Sequence, residues 1–386
     1  MAIFLDHAAT SPLRPEALSA LNAALMQLGN PSSIHSHGQT TREILEQARD
    51  QISNSVGCNR AEVVFCSGGT EANNQAIKGI WWSRKTDHRK VIISSGIEHK
   101  ALLDPIEWLV QHEGAEVVNL PIINGHVSMP DLQSILQQRA DEVVLISLMW
   151  VNNETGVITD IPAVTRIADS FGIPVHSDAI AALGRIPIDF ASSGLYAMSI
   201  SGHKVGAPIG IGALIVRRDA KPVNLIHGGG QERGLRSGTM NYALASSFGA
   251  AAEVAVKELT TTQSRLQVLR DQIETAITAS IPSAIITAGG SKRVEHNAHL
   301  IFPGVNNDSL LFLLDQQGIS VSAGSACQAG VIGPSHVLIG MGYSEPEAAS
   351  CIRVSLGHTT TQADVDSFIS GLIEAYPKAL AASPSH

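Results

Sequence analysis

Along the first half of the chain, unbroken apolar runs alternate with segments whose apolar residues recur every three or four positions. The runs are EVVFC, VIISS, EVVNLPI, EVVLISLMW, IPVHSDA, AMSIS and IGALIVRR; HKALLDPIEWLVQHEG, MPDLQSILQQ and IPAVTRIADSFG lie between some of them. Runs too uniform to have a wet face, separated by helices, predict a mostly parallel sheet covered on both sides. Ahead of the sheet, residues 15–28 read as a helix with Pro15 in its first turn and Gly29 as its stop. Residues 30–38 read as a polar loop and 39–56 as a second helix. Downstream, residues 241–281 read as one long Ala-rich helix joining two lobes. The remainder reads as a smaller α/β unit, with strands near 284–287, 296–302, 319–321 and 350–356.

Ligands of such sheets lie beyond the carboxyl ends of the strands. Gly69 and Thr70, Glu98 and His99, Asn152 and Asn153, His176 to Asp178, and Ser201 to Lys204 all fall there. The strand, glycine turn and helix start around Ser67-Gly68-Gly69-Thr70 form an anion site, because free backbone N–H groups and the helix dipole face one point. Lys204 sits in SISGHKVGAPIGIGAL, next to His203 and ahead of a run of small residues. A lysine desolvated in such a setting is left as a neutral amine able to form a Schiff base with a carbonyl. A Schiff-base lysine, an upstream acid (Asp178), an anion site and a histidine after a strand (His99) are the parts a pyridoxal phosphate enzyme needs. Asp178 would keep a pyridine nitrogen protonated, and Thr70, Ser201 and His203 would donate to phosphate oxygens.

Composition narrows the reading. The chain has 386 residues, enough for about two domains, and a formal net charge of −9 with no basic run, which argues against nucleic acid as the main partner. The first residues, MAIFLDHAATSP, show neither a secretory nor a transit pattern, and the longest apolar run, 143–151, is too short to span a bilayer. A cytoplasmic location is the default expectation. The four cysteines form no Cys-x-x-Cys pair, so no permanently held metal is expected. One of them, Cys327, lies near the centre of SAGSACQAGVIGPSHVL, a stretch of small residues that reads as a mobile loop carrying a thiol. A passive, space-filling cysteine is the other reading.

Nine blocks, in order, resemble the NifS/IscS-type cysteine desulfurases of the class V aminotransferase family. They are LDHAAT at Leu5, NPSSIH at Asn30, SGGTEANN at Ser67, EH at Glu98, VNNETG at Val151, SGHK at Ser201, GGGQERGLRSGT at Gly228, GSAC at Gly324 and IRVSLG at Ile352. The length from GSAC to PSHVL resembles the long-loop group. The resemblance implies fold type I, with a mostly parallel seven-stranded sheet in a large cofactor-binding domain (14–255) and a smaller α/β domain (1–13 with 256–386). It implies pyridoxal 5'-phosphate as cofactor, L-cysteine as substrate and a homodimer with shared active sites. Lys204 would carry the cofactor and later move the Cα proton, while His99 would stack on the ring and assist. Cys327 would take the substrate sulfur as a persulfide and leave L-alanine. Gly69, Thr70, Ser201 and His203 would hold the phosphate, joined by Thr239 from the neighbouring subunit. Asn153 would contact cofactor or substrate, and Arg353 would clamp the substrate carboxylate, a structural salt bridge being its alternative. The sulfur would pass to an acceptor such as an iron–sulfur scaffold protein, with Cys327 as a transient shared cluster ligand there.

Two positions depart from the family pattern. After the ring-nitrogen aspartate the chain reads Asp178-Ala179-Ile180-Ala181, where the family has glutamine at the last position, so one hydrogen-bond donor to the cofactor is lost. After Lys204, Ile209 stands where a lysine is more usual. A selenocysteine lyase, or a weakened cofactor-binding scaffold for sulfur-transfer partners, are the alternatives these residues leave open.

Overall fold

The apolar runs pair as their alternation with helices requires. A computed structural model describes residues 2–324 and 333–383. Seven strands form the main sheet: β1 (Val63–Cys66), β2 (Val91–Ser95), β3 (Glu116–Leu120), β4 (Val143–Met149), β5 (Val175–Asp178), β6 (Ala197–Ser201) and β7 (Gly212–Val216). Their order is β1-β7-β6-β5-β4-β2-β3. Only β7 runs antiparallel to its neighbours, because a direct turn, not a helix, returns the chain from β6. All seven residues of β4 are buried, as a strand covered on both faces demands.

Each face of the sheet has its own apolar core. The helices Pro15–Leu25, Ser36–Val56 and Tyr242–Lys257 pack on one side, through Ala17, Leu45, Ile52, Phe248 and Ala251. The helices Gly69–Arg84 and Lys100–Glu113 pack on the other, through Ile77, Trp81, Leu102 and Leu109. A further core joins Leu5, Leu266, Ile273, Phe302, Phe368 and Leu372. Around it β8 (Asn297–Ile301) and β9 (Cys351–Ser355) pair antiparallel, covered by the helices Leu259–Ser280 and Gln362–Ala382. The N-terminal segment belongs to this unit, since Ile3–Phe4 pairs with Ile319–Ser320. It then crosses towards the main sheet, where the Ser11 N–H donates to His203 O at 2.9 Å.

Three helix boundaries differ from the expectation. The first helix ends at Leu25, not at residue 28, because Leu25, Met26 and Leu28 are 62%, 83% and 78% exposed and have nothing apolar to pack on. The second starts at Ser36, inside the polar NPSSIHSHG stretch, because His35 Nδ1 accepts from the Gly38 N–H and caps it. The long helix over 241–281 is two helices, broken at Glu258, whose carboxylate is bound by Arg14 at 2.8 Å. Among the described residues no helix is long and apolar enough to cross a membrane.

Candidate active site

The carboxyl ends of β4, β5 and β6 open into one cavity of about 350 Å³. Gly69, Thr70, His99, Asn153, Asp178, Ser201, His203, Lys204 and Arg353 line it, together with Ala181. The parallel strands deliver Asp178 and Ser201 as their last residues, while His99 is the residue that caps helix Lys100–Glu113.

Asp178 is the most constrained of these. Its Oδ1 accepts from the Ile180 N–H at 2.9 Å and its Oδ2 from Asn73 Nδ2 at 2.7 Å, both neutral donors. Burial pushes its pKa up, against the pull of His99 and Lys204. A buried acid held this way favours a cationic ring nitrogen against it. Beneath it, His176 bridges Ser147 Oγ and Ser199 Oγ at 2.9 Å each, and burial lowers its pKa to about 3, so it is a neutral tie between strands.

The anion cradle is at the start of helix Gly69–Arg84, which no side chain caps. A β-carbon at residue 69 would lie 2.1 Å from Ile180 Cδ1 and 3.5 Å from Ser201 Cβ, so any larger residue at the helix start must displace the Ile180 side chain. Ser201 Oγ is buried there without a partner. His203 reaches Thr10 Oγ1 at 3.4 Å, and burial next to Lys204 lowers its pKa to about 4, leaving it a neutral donor or acceptor. Glu71 fixes the turn by accepting from the Ser67 N–H at 2.9 Å and from Arg236 Nε at 2.8 Å.

Lys204 Nζ donates to Ala8 O at 2.5 Å and Ala9 O at 2.9 Å, so LDHAAT meets SGHK at the reactive amine. His99 Nδ1 accepts from the Ala101 N–H at 3.0 Å, which places the proton of a neutral ring on Nε2. Its neighbour Glu98 is buried, with Oε1 2.6 Å from Ser95 Oγ and Oε2 accepting from the Met149 N–H at 2.7 Å. Burial, helped by the nearby Asp178 charge, pushes its pKa up to about 8. Arg353, on β9, is 1% exposed and donates from Nη1 to Asn153 O at 3.1 Å and from Nη2 to Asp6 Oδ1 at 2.9 Å. The salt bridge weighed for it therefore exists, while its Nε and Asn153 Oδ1 remain buried without partners.

The other expected residues lie elsewhere. Thr239 is exposed and does not line its own chain's cavity. Its loop is anchored by Arg49, which pairs with Glu232 through contacts of 2.9 and 2.7 Å. Cys327 lies outside the described residues. Cys58, Cys66 and Cys351 are free, and burial pushes each thiol up to about 12, so none is primed as a thiolate. Among the described residues no cluster of His, Cys, Asp and Glu could hold a metal. Asn73 and Asp6 were not singled out from sequence, and Glu98 was named at a strand end without a role of its own. Glu98 had a signal in the EH pair; Asn73 and Asp6 sat unmarked inside motifs chosen for other residues.

An uncapped helix start, an orphaned serine hydroxyl, a buried acid and a lysine around one cavity fit pyridoxal phosphate. The family model "Aminotransferase class-V" matches residues 3–368. The "IscS-like cysteine desulfurase" of Mycobacterium tuberculosis is 47% identical over 382 residues, covering 98% of this chain and 96% of that one. The "Cysteine desulfurase NifS" of Azotobacter vinelandii is 36% identical, covering 95% and 90%. A solved NifS-like protein from Rickettsia africae superposes with a TM-score of 0.87 at 30% identity, covering 98% of this chain and all of that one. The chain belongs to the class-V aminotransferases, in the branch of the IscS- and NifS-type cysteine desulfurases, and its cofactor is pyridoxal phosphate.

Two outcomes follow from this geometry. Gly69→Ala should overpack the cradle at a cost of about 1–3 kcal/mol and weaken cofactor retention by about tenfold, and adding Ile180→Ala should recover most of it, as read by dialysis of the holoenzyme. Because the Glu98 pKa is raised from 4.5 to about 8 in the fold, its contribution to stability is present below 4.5 and lost as pH rises through 8. Glu98→Gln, which mimics the protonated acid, should flatten that part of the melting temperature's pH profile.

Proposed function

We propose that this chain transfers the sulfur of L-cysteine to its own Cys327, leaving L-alanine and a Cys327 persulfide. The balance is closed: the C–S bond of the substrate breaks, an S–S bond forms on Cys327, and the thiol proton of Cys327 replaces sulfur on the substrate carbon. The observation that carries this reading is the convergence of Lys204, Asp178, His99 and Arg353 on one cavity.

When bound, pyridoxal phosphate supplies an electron sink for charge developing at the substrate Cα. Lys204 holds the cofactor through Nζ, and once released is the amine placed to move the Cα proton. Asp178 pairs with the ring nitrogen, and its two amide donors keep the carboxylate oriented. His99, its tautomer set by the Ala101 N–H, lines the cavity with Lys204 and Asp178. Gly69, Thr70, Ser201 and His203 hold the phosphate. Arg353 orients the substrate carboxylate with its unpartnered Nε–H, while Asn153 Oδ1 is placed to accept from a substrate or cofactor donor. Ala181 adds no donor where the family uses glutamine, so Asn153 is the remaining side-chain amide on that side.

We read the functional unit as a homodimer in which Thr239 completes the partner's phosphate site. Its support is the position of Thr239 outside its own cavity and the apolar side chains of Leu25, Met26, Leu28 and Ile34 standing in solvent. A sulfur-acceptor protein, such as an iron–sulfur scaffold, would discharge the persulfide, and the free thiols suit a reducing, cytoplasmic setting.

Holoenzyme incubated with L-cysteine and a thiol reductant should release sulfide and L-alanine in equal amounts; neither product would end this reading. Lys204→Ala should lose turnover together with the cofactor's visible absorbance. Cys327→Ser should keep that absorbance and lose sulfide release by about 10⁴-fold.

A further inference from the structure

Arg353 already holds a carboxylate, that of Asp6. The guanidinium is 1% exposed and its one ion-pair partner among the described residues is Asp6, at 2.9 Å. Asp6 is not a mobile surface group that happens to lean inwards. The Ser355 N–H donates to Leu5 O at 2.8 Å, the His7 N–H to Ser355 O at 3.2 Å, and the Ala8 N–H to Ser355 Oγ at 2.8 Å. Asp6 is therefore laced on both sides to the end of β9, two residues along the strand from Arg353. The same stretch goes on to offer Ala8 O and Ala9 O to Lys204.

We infer that Asp6 is a positioning residue whose fixed carboxylate limits the pull of Arg353 on amino-acid carboxylates, so that product leaves as readily as substrate enters. The inference rests on Arg353 being the carboxylate clamp. Paired with Asp6, the guanidinium carries no net charge into the cavity, and an incoming α-carboxylate meets a like charge as well as the free Nε–H. In a partly desolvated site that repulsion is far stronger than in water. L-Cysteine and L-alanine share the same carboxylate, so an unopposed Arg353 would hold both tightly, which is uniform binding that slows release without helping the chemistry. Asp6 subtracts from both alike.

The test compares ligands with and without the carboxylate. Holoenzyme is titrated with L-alanine and with cysteamine, followed by the cofactor's visible absorbance. Asp6→Asn should tighten L-alanine by about fivefold or more and lower KM for L-cysteine, while cysteamine shifts by less than about twofold. Asp6→Ser, smaller and also neutral, should do the same and serves if the amide disturbs the fold. Asp6→Glu, which keeps the charge, should retain the native ratio of the two affinities. If both neutral variants bind L-alanine no more tightly relative to cysteamine than the native enzyme does, the inference is overturned. Arg353→Ala separates the two readings: it must weaken L-alanine relative to cysteamine, or the clamp itself is wrongly assigned. If it does so while the Asp6 variants change nothing, only the role of Asp6 falls.

Discussion

A carboxylate buried at the end of a central strand is the constraint around which this molecule is built. Asp178 gains only two neutral donors from its own surroundings, Asn73 and the Ile180 N–H. Neither offsets the cost of an ion removed from water. The fold answers by bringing positive or proton-bearing groups to the same cavity from four separate elements: His99 from a helix cap, Lys204 from the turn after β6, Arg353 from β9 and the uncapped helix start at Gly69. A parallel sheet suits this, because its crossovers place the ends of β4, β5 and β6 side by side while both faces stay dry.

Much of this was legible from residue order. The apolar runs gave the strands with errors of a residue or two, and of the strand-end residues named from the pattern Gly69, Thr70, His99, Asn153, Asp178, Ser201, His203 and Lys204 line the cavity, while Glu98, Asn152, His176 and Ser177 are buried behind it. Features governed by contact between distant segments were not legible. The break falls at Glu258, whose carboxylate pairs with Arg14 far away in sequence, and helical periodicity continues through it undisturbed. The early start at Ser36 depends on the rotamer of His35, in a stretch whose composition reads as loop. Asp6 and Asn73 follow the same logic: a short polar residue inside a motif gives no sign of which atom across the fold it will meet.

The loops that complete the site are held by two ion pairs, one buried and one half-buried. Glu232 accepts from Arg49 through both oxygens and from the Phe65 N–H at 2.8 Å, and it and Arg233 have φ values of 44° and 62°, a left-handed region costly for side-chain-bearing residues. The pair overcomes a local preference to give the GGGQERG turn one shape. Breaking one partner of such a pair strands a charge, which commonly costs about 3–5 kcal/mol. The Arg236–Glu71 pair does the same between that loop and the phosphate turn. The loop bearing Thr239 and the anion cradle are thus braced against each other through side chains that never enter the cavity.

Glu154, next to Asn153, has a consequence of another kind. Its Oε2 accepts from Ser335 Oγ at 2.5 Å, and Gly324 approaches the same oxygen so closely that a β-carbon there would lie 2.6 Å away. Gly324 and Ser335, on either side of residues 325–332, therefore meet at one carboxylate oxygen. One carboxylate oxygen thus holds Gly324 and Ser335 together, so that a change at Glu154 is felt in both at once while the sheet and its cores stay as they are.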